Sequence, residues 1–215
     1  MNLRIHLKRY LYFCKGLIFR IMKIQNEYFV HPTAIIDDGC KIGKDSKIWH
    51  FSHIMRGSII GEKCNIGQNV VISPDVELGD NCKVQNNVSV YTGVKCEDNV
   101  FLGPSCVFTN VINPRSAISR KAEYKQTIIK KGATIGANAT IVCGHTLGKY
   151  CLIGAGAVIR EDIADYECWI GNPAVRLGFV GEYGHRLIFD EQGIAIEQES
   201  GFVYEILDDK VKRIR

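Results

Sequence analysis

Large aliphatic side chains recur every six residues along most of this chain. The series runs over residues 30–108 and resumes over residues 129–159. A smaller side chain stands four residues after most of the aliphatic ones, as Cys64 does after Ile60. A helix is excluded because a six-residue step is not a multiple of the 3.6-residue helical period. The pattern predicts short strands that each direct two side chains inward.

Tight turns separate these predicted strands. Glycine follows many of the aliphatic residues directly, at Gly43, Gly61, Gly67, Gly79, Gly136 and Gly154. Three hexads close one triangular coil, so equivalent residues of successive coils stack into columns and bury a continuous core. The sequence therefore predicts an all-β fold, a parallel β-helix of hexapeptide repeats.

The pattern changes beyond Gly184, where apolar and polar residues alternate in short segments separated by turn residues. These segments are Leu187–Asp190, Ile194–Glu197, Phe202–Leu207 and Lys210–Ile214. They predict a small C-terminal β-meander that covers the open strand edges of the β-helix. The expected domains are an N-terminal segment at 1–27, a β-helix domain at 28–174 and a β-meander cap at 175–215.

Residues 1–23 place apolar side chains at helical spacing, with most basic side chains off that face. One interpretation is a basic amphipathic helix that lies on a membrane surface. A second is an extension upstream of a translation start at Met22. A cleaved signal peptide is a third interpretation, which Lys15 and Arg20 disfavour because they interrupt the apolar stretch. No apolar run reaches the roughly 18 residues that a membrane-spanning helix needs.

The repeat breaks at residues 109–128. The step from Phe108 to Ile129 exceeds three hexads by a few positions, so a short insertion is expected. The segment is polar, contains Pro114 and concentrates positive charge at Arg115, Arg120, Lys121 and Lys125. Long loops on a regular scaffold are usually functional. A tolerated surface insertion is the alternative.

The three predicted corners of the coil differ in chemistry. The first corner is neutral and rich in amides, and it stacks Pro32, His50, Gln68, Asn86 and Pro104, with Phe51, Asn69 and Asn87 beside them. The second corner stacks Asp38, Arg56, Pro74, Thr92 and Asn110. The third corner, charged and therefore solvated, stacks Lys44, Glu62, Asp80 and Asp98. Neutral polar side chains on a charged surface indicate an interface or ligand groove. We expect the first two corners to meet between subunits.

Composition narrows the candidate chemistry. The nine cysteines form no CxxC pair, and most of them fall at inward positions of the repeat, so we interpret them as small buried hydrophobes in a reducing cytoplasm. No zinc-type spacing is present, and no metal site is expected. The formal net charge is +4, and no basic stripe with interleaved aromatics points to nucleic acid.

Several segments resemble the left-handed β-helix acyltransferases, and more narrowly the bacterial UDP-2-acetamido-3-amino-2,3-dideoxyglucuronate N-acetyltransferases of O-antigen synthesis. They are Phe29–Ala34, Ile48–His53, Gln85–Tyr91, Gly103–Asn110, Asn113–Arg115, Ala122–Lys125 and Ile170–Ala174. The resemblance implies a left-handed coil and a homotrimer. The amphipathic interpretation of residues 1–23 would place that trimer at the inner, cytoplasmic face of the membrane. The resemblance further implies acetyl-CoA as co-substrate, a UDP-amino sugar as acceptor and sites between subunits.

The resemblance also implies that Asn110 contacts the sugar amine, and the first corner makes His50 the second candidate catalytic residue. Five residues are assigned to substrate binding: Asn86, Asn87, Arg115, Lys121 and Tyr124. Six are assigned to acetyl-CoA, which is expected along the last coils: Gly136, Ala137, Gly154, Ala155, Arg160 and Arg176. His145 occupies a small inward position, which suggests a subunit contact, the coenzyme channel or a core imidazole.

Three other functions stay open. The nearest is N-acetylation of a dTDP-3-amino-3,6-dideoxyhexose, which the same scaffold and a similar segment at 48–53 would serve. A metal-dependent β-helix hydratase needs three convergent imidazoles, and the sequence offers His50 and His53 with no histidine between 54 and 144. A catalytically inert scaffold is the last, and it predicts no acetyl-CoA binding.

Overall fold

The computed structural model describes residues 27–215. The interpretations of residues 1–23 and of a start at Met22 lie outside the described residues. Within the described part of the chain, no helix is both long and apolar enough to cross a membrane.

Three parallel sheets form the sides of a prism, and the chain visits them in turn. Sheet A contains β1 (Phe29–Val30), β4 (Lys47–Ile48), β7 (Asn65–Ile66), β10 (Lys83–Val84), β13 (Phe101–Leu102), β16 (Thr134–Ile135), β19 (Leu152–Ile153), β21 (Glu167–Ile170) and the antiparallel β22 (Val175–Phe179). Sheet B contains β2 (Ile35–Ile36), β5 (His53–Ile54), β8 (Val71–Ile72), β11 (Ser89–Val90), β14 (Val107–Phe108), β17 (Thr140–Ile141) and β20 (Val158–Ile159). Sheet C contains β3 (Lys41–Ile42), β6 (Ile59–Ile60), β9 (Glu77–Leu78), β12 (Val94–Cys96), β15 (Thr127–Ile129) and β18 (Thr146–Leu147).

The six-residue period accounts for this architecture. Lys47 pairs with Asn65, which in turn pairs with Lys83, so stacked strands are separated by three hexads of sequence. The second residue of each two-residue strand, and the last residue of β12 and of β15, points inward, and from Ile48 onward these side chains are buried. The predicted left-handed β-helix of hexapeptide repeats is confirmed.

The loop at 109–128 is a larger insertion than the sequence suggested. On one side β12 pairs with β9 at the usual spacing of three hexads, as Cys96 does with Leu78. On its other side β12 pairs with β15, where Val94 meets Thr127 and the separation is two and a half hexads longer. The chain therefore makes a single sheet-to-sheet step between β14 and β15 and places the extra length in the loop. The expectation of three hexads with a small insertion was wrong. Within the loop, η1 (Lys121–Glu123) is one turn of 3₁₀ helix.

The last coil is shorter than the others. Leu152 pairs with Cys168 and Leu147 with Ile163, in both cases two positions short of three hexads. β21 then turns into the antiparallel β22, with a cis peptide bond between Asn172 and Pro173 in the turn. This hairpin ends the coil, and the six-residue pattern does not predict it.

The C-terminal part forms the predicted meander with one strand fewer. β23 (Ile194–Ile196), β24 (Val203–Leu207) and β25 (Lys210–Arg213) pair in antiparallel order. Leu187–Asp190 is not a strand, although Leu187 packs into the same apolar cluster as Tyr166 and Tyr204. The ring of Tyr150, from the last full coil, stacks on Tyr166 at 5.5 Å and joins the meander to the β-helix. The three-domain division itself stays a prediction.

The cysteines occupy the core as expected. All those in the described residues are free thiols, and Cys64, Cys82 and Cys151 are almost completely buried. Burial raises the pKa of the Cys106 thiol to about 12, so the thiol stays protonated at neutral pH.

Candidate active site

The inserted loop begins and ends at the second corner of the prism, between sheets B and C. The peptide carbonyl of Asn110 accepts the N–H of Lys125 at 3.0 Å. Thr127 donates its N–H to the carbonyl of Gly93 in the coil below. The side-chain hydroxyl of Thr109 accepts the N–H of Cys143 in the coil above at 2.9 Å. These bonds hold Asn110 against the scaffold although the loop beyond it is exposed.

His145 lies next to this loop base, in the coil above Thr127. It does not fill the core as its repeat position suggested: its side chain is partly exposed, and Cys143 is buried two residues earlier. The Nδ1 atom of His145 lies 3.5 Å from Oδ1 of Asp162. The same carboxylate oxygen accepts the N–H of Thr146 at 2.8 Å, which fixes its position. An imidazole oriented by a carboxylate is a suitable proton acceptor.

Within the loop, a carboxylate neutralises one of the four cations, and the other three are exposed. Arg115 and Lys121 are exposed, and Arg115 donates to the carbonyl of Pro114. Arg120, which the sequence did not single out for binding, donates to both carboxylate oxygens of Glu123 at 2.8 and 3.0 Å. Tyr124 ends the 3₁₀ turn and is exposed.

The amides of the first corner, between sheets A and B, form a ladder along the prism. Oδ1 of Asn86 accepts the N–H of Gln68 at 2.8 Å, and Asn69 donates its side-chain N–H to Oδ1 of Asn87 at 3.0 Å. Asn69 and Asn87 both have positive φ, which asparagine adopts more readily than most residues. Each amide therefore uses part of its hydrogen-bonding capacity to brace the turn, and both Asn86 and Asn87 remain exposed.

Below this ladder the first corner carries aromatic rings. His50 stacks on His31 with ring centroids 3.5 Å apart. Nδ1 of His31 lies 2.9 Å from the hydroxyl of Thr33, which also accepts the N–H of Phe51 at 3.0 Å. Partial burial, and then the neighbouring His50, lower the pKa of His31. The sequence singled out His50 but not its partner, because only the stacking of coils brings residues 31 and 50 together.

Between the two corners, the outward face of sheet B is uncharged along most of its length. Its outward residues are Ile35, His53, Val71, Ser89, Val107, Thr140 and Val158. Outward positions of the other two sheets include Lys47 and Lys83 on sheet A, and Lys41, Glu77 and Lys95 on sheet C. Nε2 of His53 is bonded to Asp37 at 2.8 Å, at the edge of the face.

The residues assigned to catalysis and to the sugar substrate lie at the two edges of this face. His50, Asn86 and Asn87 lie on the first corner, whereas Asn110, Arg115 and Lys121 belong to the second. A single chain therefore does not bring the two groups together. Within residues 27–215, no three histidine, cysteine or acidic side chains converge as a metal site would require.

The glycines assigned to acetyl-CoA serve the stacking of coils. A Cβ on Gly136 would lie 2.5 Å from the backbone nitrogen of Ala155 in the next coil, and one on Gly154 would lie 2.8 Å from the Ile170 side chain. Ala155 is exposed, and Ala137 is partly exposed with its carbonyl accepting the N–H of Gly156. Ala155 is therefore the more accessible of these residues, whereas the two glycines are needed for close contact between coils.

The two assigned arginines differ in their neighbours. Arg160 is exposed beside a small cleft that Trp169 and Ala174 also line. Arg176 instead donates to Glu167 at 2.9 Å and to Asp209 of the meander, and these bonds, to Asp209 first, raise its pKa. Its charge is already balanced by two carboxylates, so Arg160 is the better candidate for a coenzyme phosphate.

Comparison with protein families agrees with the repeat. Residues 39–74 match the model of the bacterial transferase hexapeptide, six repeats. Residues 58–92 and 126–161 match the hexapeptide repeat of succinyl-transferase. The two blocks flank the inserted loop.

Among characterised relatives, the chain is 42% identical over 187 residues to dTDP-3-amino-3,6-dideoxy-alpha-D-galactopyranose 3-N-acetyltransferase of Aneurinibacillus thermoaerophilus. That alignment covers 86% of this chain and 95% of the relative. It is 27% identical over 146 residues to the bifunctional protein GlmU of Thermotoga maritima, covering 65% of this chain but 32% of GlmU. A solved hexapeptide-repeat acetyltransferase of Vibrio cholerae, complexed with acetyl coenzyme A, shares the fold at a TM-score of 0.51 and 24% identity, covering 57% of this chain and 70% of that one.

Proposed function

Because the chain belongs to the hexapeptide-repeat acyltransferases, we propose that it acetylates the 3-amino group of a dTDP-3-amino-3,6-dideoxyhexose with acetyl-CoA. The observation that carries the proposal is the 42% identity to an enzyme named for that reaction, over 95% of its length. The sequence motifs alone favour a UDP-amino-uronate and keep the dTDP sugar as the alternative. The comparison reverses that order.

The free enzyme is proposed to be a cytoplasmic homotrimer in which sheet B faces the neighbouring subunits. Its uncharged outward face can be buried without leaving unpaired charges, unlike the lysine-bearing faces of sheets A and C. Such packing would set the first corner of one subunit against the second corner of the next. The amides at Asn86 and Asn87 and the loop base at Asn110 would then line one cleft.

The proposed reaction needs the amine to be oriented and one proton to be removed from it. The amine nitrogen attacks the thioester carbonyl carbon, the C–S bond then breaks, and coenzyme A leaves as a thiolate that takes up a proton. The side-chain oxygen of Asn110 is suited to accept an amine N–H and so aim the lone pair. His145, oriented by Asp162 at 3.5 Å, is suited to accept the proton that the attacking nitrogen must lose.

Substrate choice is the direct test. The purified full chain is assayed for CoA release with a dTDP-3-amino-3,6-dideoxyhexose and with UDP-2-acetamido-3-amino-2,3-dideoxyglucuronate at matched concentrations. We expect a higher kcat/KM for the dTDP sugar. An equal or reversed preference would overturn the assignment, and light scattering of the same sample tests the trimer.

The amino-uronate stays the second candidate because of the loop. Arg115 and Lys121 are exposed cations, and a uronic carboxylate would suit them. If they serve that purpose, the double variant Arg115→Gln, Lys121→Gln should lose turnover of the uronate selectively. In the dTDP-sugar assignment, these cations are available to phosphate groups.

A further inference from the structure

Phe51 is the most unusual residue of the first corner. Its φ of 58° lies in the left-handed region, where a bulky side chain is strained. The equivalent turn residues in the coils above it are Asn69, Asn87, Ser105 and Asn138, which are small and polar. A phenylalanine at this position therefore needs a compensating reason.

Packing supplies that reason for two other aromatic residues but not for Phe51. Tyr150 and Tyr166 also have positive φ, and their rings stack on each other at 5.5 Å beneath the C-terminal meander. The Tyr166 ring further contacts Tyr204 in the meander. Phe51, by contrast, is 61% exposed. Strain retained in an exposed side chain points to a ligand.

The surroundings of Phe51 extend this ring into a platform. Its centroid lies 6.2 Å from that of His50, at an interplanar angle of 51°. His50 stacks on His31 on one side and lies nearly parallel to Trp49 on the other, at 6.3 Å and 8°. The indole N–H of Trp49 donates to Asn65 at 2.8 Å, and Thr33 anchors both His31 and the Phe51 turn. The platform is thus held in place from below and from the side.

The chemistry along the corner changes from aromatic to amide and then to the loop. Strands stack at about 4.8 Å, so the platform in the first two coils lies roughly 14 Å from the fifth coil, where the loop leaves. A nucleoside diphosphate sugar is an elongated molecule with a flat base at one end and the pyranose at the other. Placed along the first corner, its base would meet the rings, and its sugar would approach the loop base of the neighbouring subunit in the proposed trimer.

We infer that the rings of Phe51 and His50, with His31 beneath, form the subsite that stacks the pyrimidine base of the nucleotide. The inference rests on the proposed function for the identity of the nucleotide. Every base offers a flat π face, so stacking on these rings would supply affinity for the base. The amides Asn69 and Asn87 lie above the platform, on the side where the diphosphate and the sugar would extend. The platform presents ring faces and no carboxylate, so a flat, uncharged base is the ligand that it suits.

The test compares dTDP with inorganic pyrophosphate as probes of the full-length protein by calorimetry. Phe51→Gly removes the ring and relieves the strained φ, and we expect the Kd for dTDP to rise about 5- to 150-fold while weak pyrophosphate binding stays unchanged. Phe51→Tyr should retain the affinity. Asn99→Gly is the matched control, because Asn99 has the same left-handed turn conformation at the charged third corner.

The outcomes separate this subsite from the proposed reaction. Unchanged dTDP affinity in Phe51→Gly overturns the subsite, even if the dTDP-amino sugar is acetylated. Loss of dTDP affinity in this variant supports the subsite, even if the amino sugar is not acetylated and the proposed function fails. A wild-type protein that binds no dTDP, or a variant whose mass falls from trimer to monomer in light scattering, also overturns it, the latter because Phe51 would then be a subunit contact.

Discussion

The peptide carbonyl of Asn110 and the peptide N–H of Lys125 are hydrogen-bonded at 3.0 Å, so the exposed loop between them is closed at its base. The loop can therefore vary in conformation while Asn110 keeps its place on the second corner. Only the backbone of Asn110 takes part in this bond, which leaves its carboxamide for the substrate. Backbone anchoring thus separates the structural role of this residue from its proposed chemical one.

Asn110→Ala is expected to fold normally and to lose activity. The closing hydrogen bond survives the substitution, but the amine loses the oxygen that orients it, and misplacement of a reacting group costs on the order of 10²-fold in rate. Steady-state kinetics should show the loss in kcat, with an unchanged melting temperature. Activity within about twofold of wild type, far short of that factor, would contradict the role.

His145→Gln tests the proton acceptor. General-base catalysis contributes about 10²- to 10⁴-fold, so a comparable fall in kcat is expected with little change in either KM. Asp162→Asn should lose less, because it only orients the imidazole. His185→Gln is the control, since this histidine also contacts a carboxylate, that of Glu199, but lies beside the C-terminal meander. Equal effects in His145→Gln and His185→Gln would remove His145 from the mechanism.

Substitution by methionine is expected to affect coenzyme binding at Arg160 and protein stability at Arg176. Arg160→Met should raise the KM for acetyl-CoA several-fold without changing stability, because the side chain is exposed. Arg176→Met should lower the free energy of unfolding by about 1–2 kcal/mol, because the partly buried guanidinium bonds to Glu167 and Asp209. Chemical denaturation and steady-state kinetics with acetyl-CoA on both variants test these expectations. A raised KM for acetyl-CoA in Arg176→Met alone would instead assign Arg176 to coenzyme binding.

Gly136→Ala and Ala155→Ser form a second pair. The new methyl group at position 136 would lie 2.5 Å from the nitrogen of Ala155, and overpacking of this kind costs about 1–3 kcal/mol. Ala155→Ser is exposed and should leave stability unchanged, while altering the KM for acetyl-CoA if the coenzyme passes there. Thermal unfolding is the measurement. A melting temperature of Gly136→Ala equal to that of the wild type would contradict the prediction, because the coils would then have room for a side chain.

Acid should weaken nucleotide binding through the His31–His50 stack. The pKa of His31 is lowered in the folded protein, below the ordinary value of about 6.5. The neutral ring is therefore favoured by folding, and its contribution is present above about pH 6.5 and declines as the pH falls toward the lowered pKa. The Kd for dTDP should rise as the pH falls below about 6.5, and His31→Phe should reduce that dependence. The same dependence of the Kd on pH in His31→Phe would show that a group other than His31 is responsible.

The fold follows from the sequence because each hexad repeats the same local pattern. An inward aliphatic residue such as Ile66, a small residue such as Val70 and a turn between them specify one side of the coil, and stacking follows from repetition. Where the repetition stops, prediction is weaker. The insertion at 109–128 is longer than the sequence predicts, and the hairpin of β21 and β22 is not predicted at all. Neither segment follows the six-residue repeat, so the repeat carries no information about them.

The candidate site is only partly predictable for a related reason. Comparison of columns identifies His50 and the amides, since these follow the repeat. The comparison does not identify His31, because this residue lies one position away from the column that contains His50. The pair of His145 with Asp162 depends on the shortened last coil, in which strands pair at less than three hexads of separation. A contact whose register is not a multiple of six cannot be predicted from a six-residue pattern.

The segment inserted between β14 and β15 leaves the stacking above and below it intact. Val94 still pairs with Thr127, and Phe101 with Thr134, as if the extra chain were absent. Lengthening such a segment costs little, about 0.6 kcal/mol for each doubling. Descendants of this scaffold can therefore exchange the segment between Asn110 and Lys125 for one of another length and acquire a different acceptor preference without redesigning the prism that carries it.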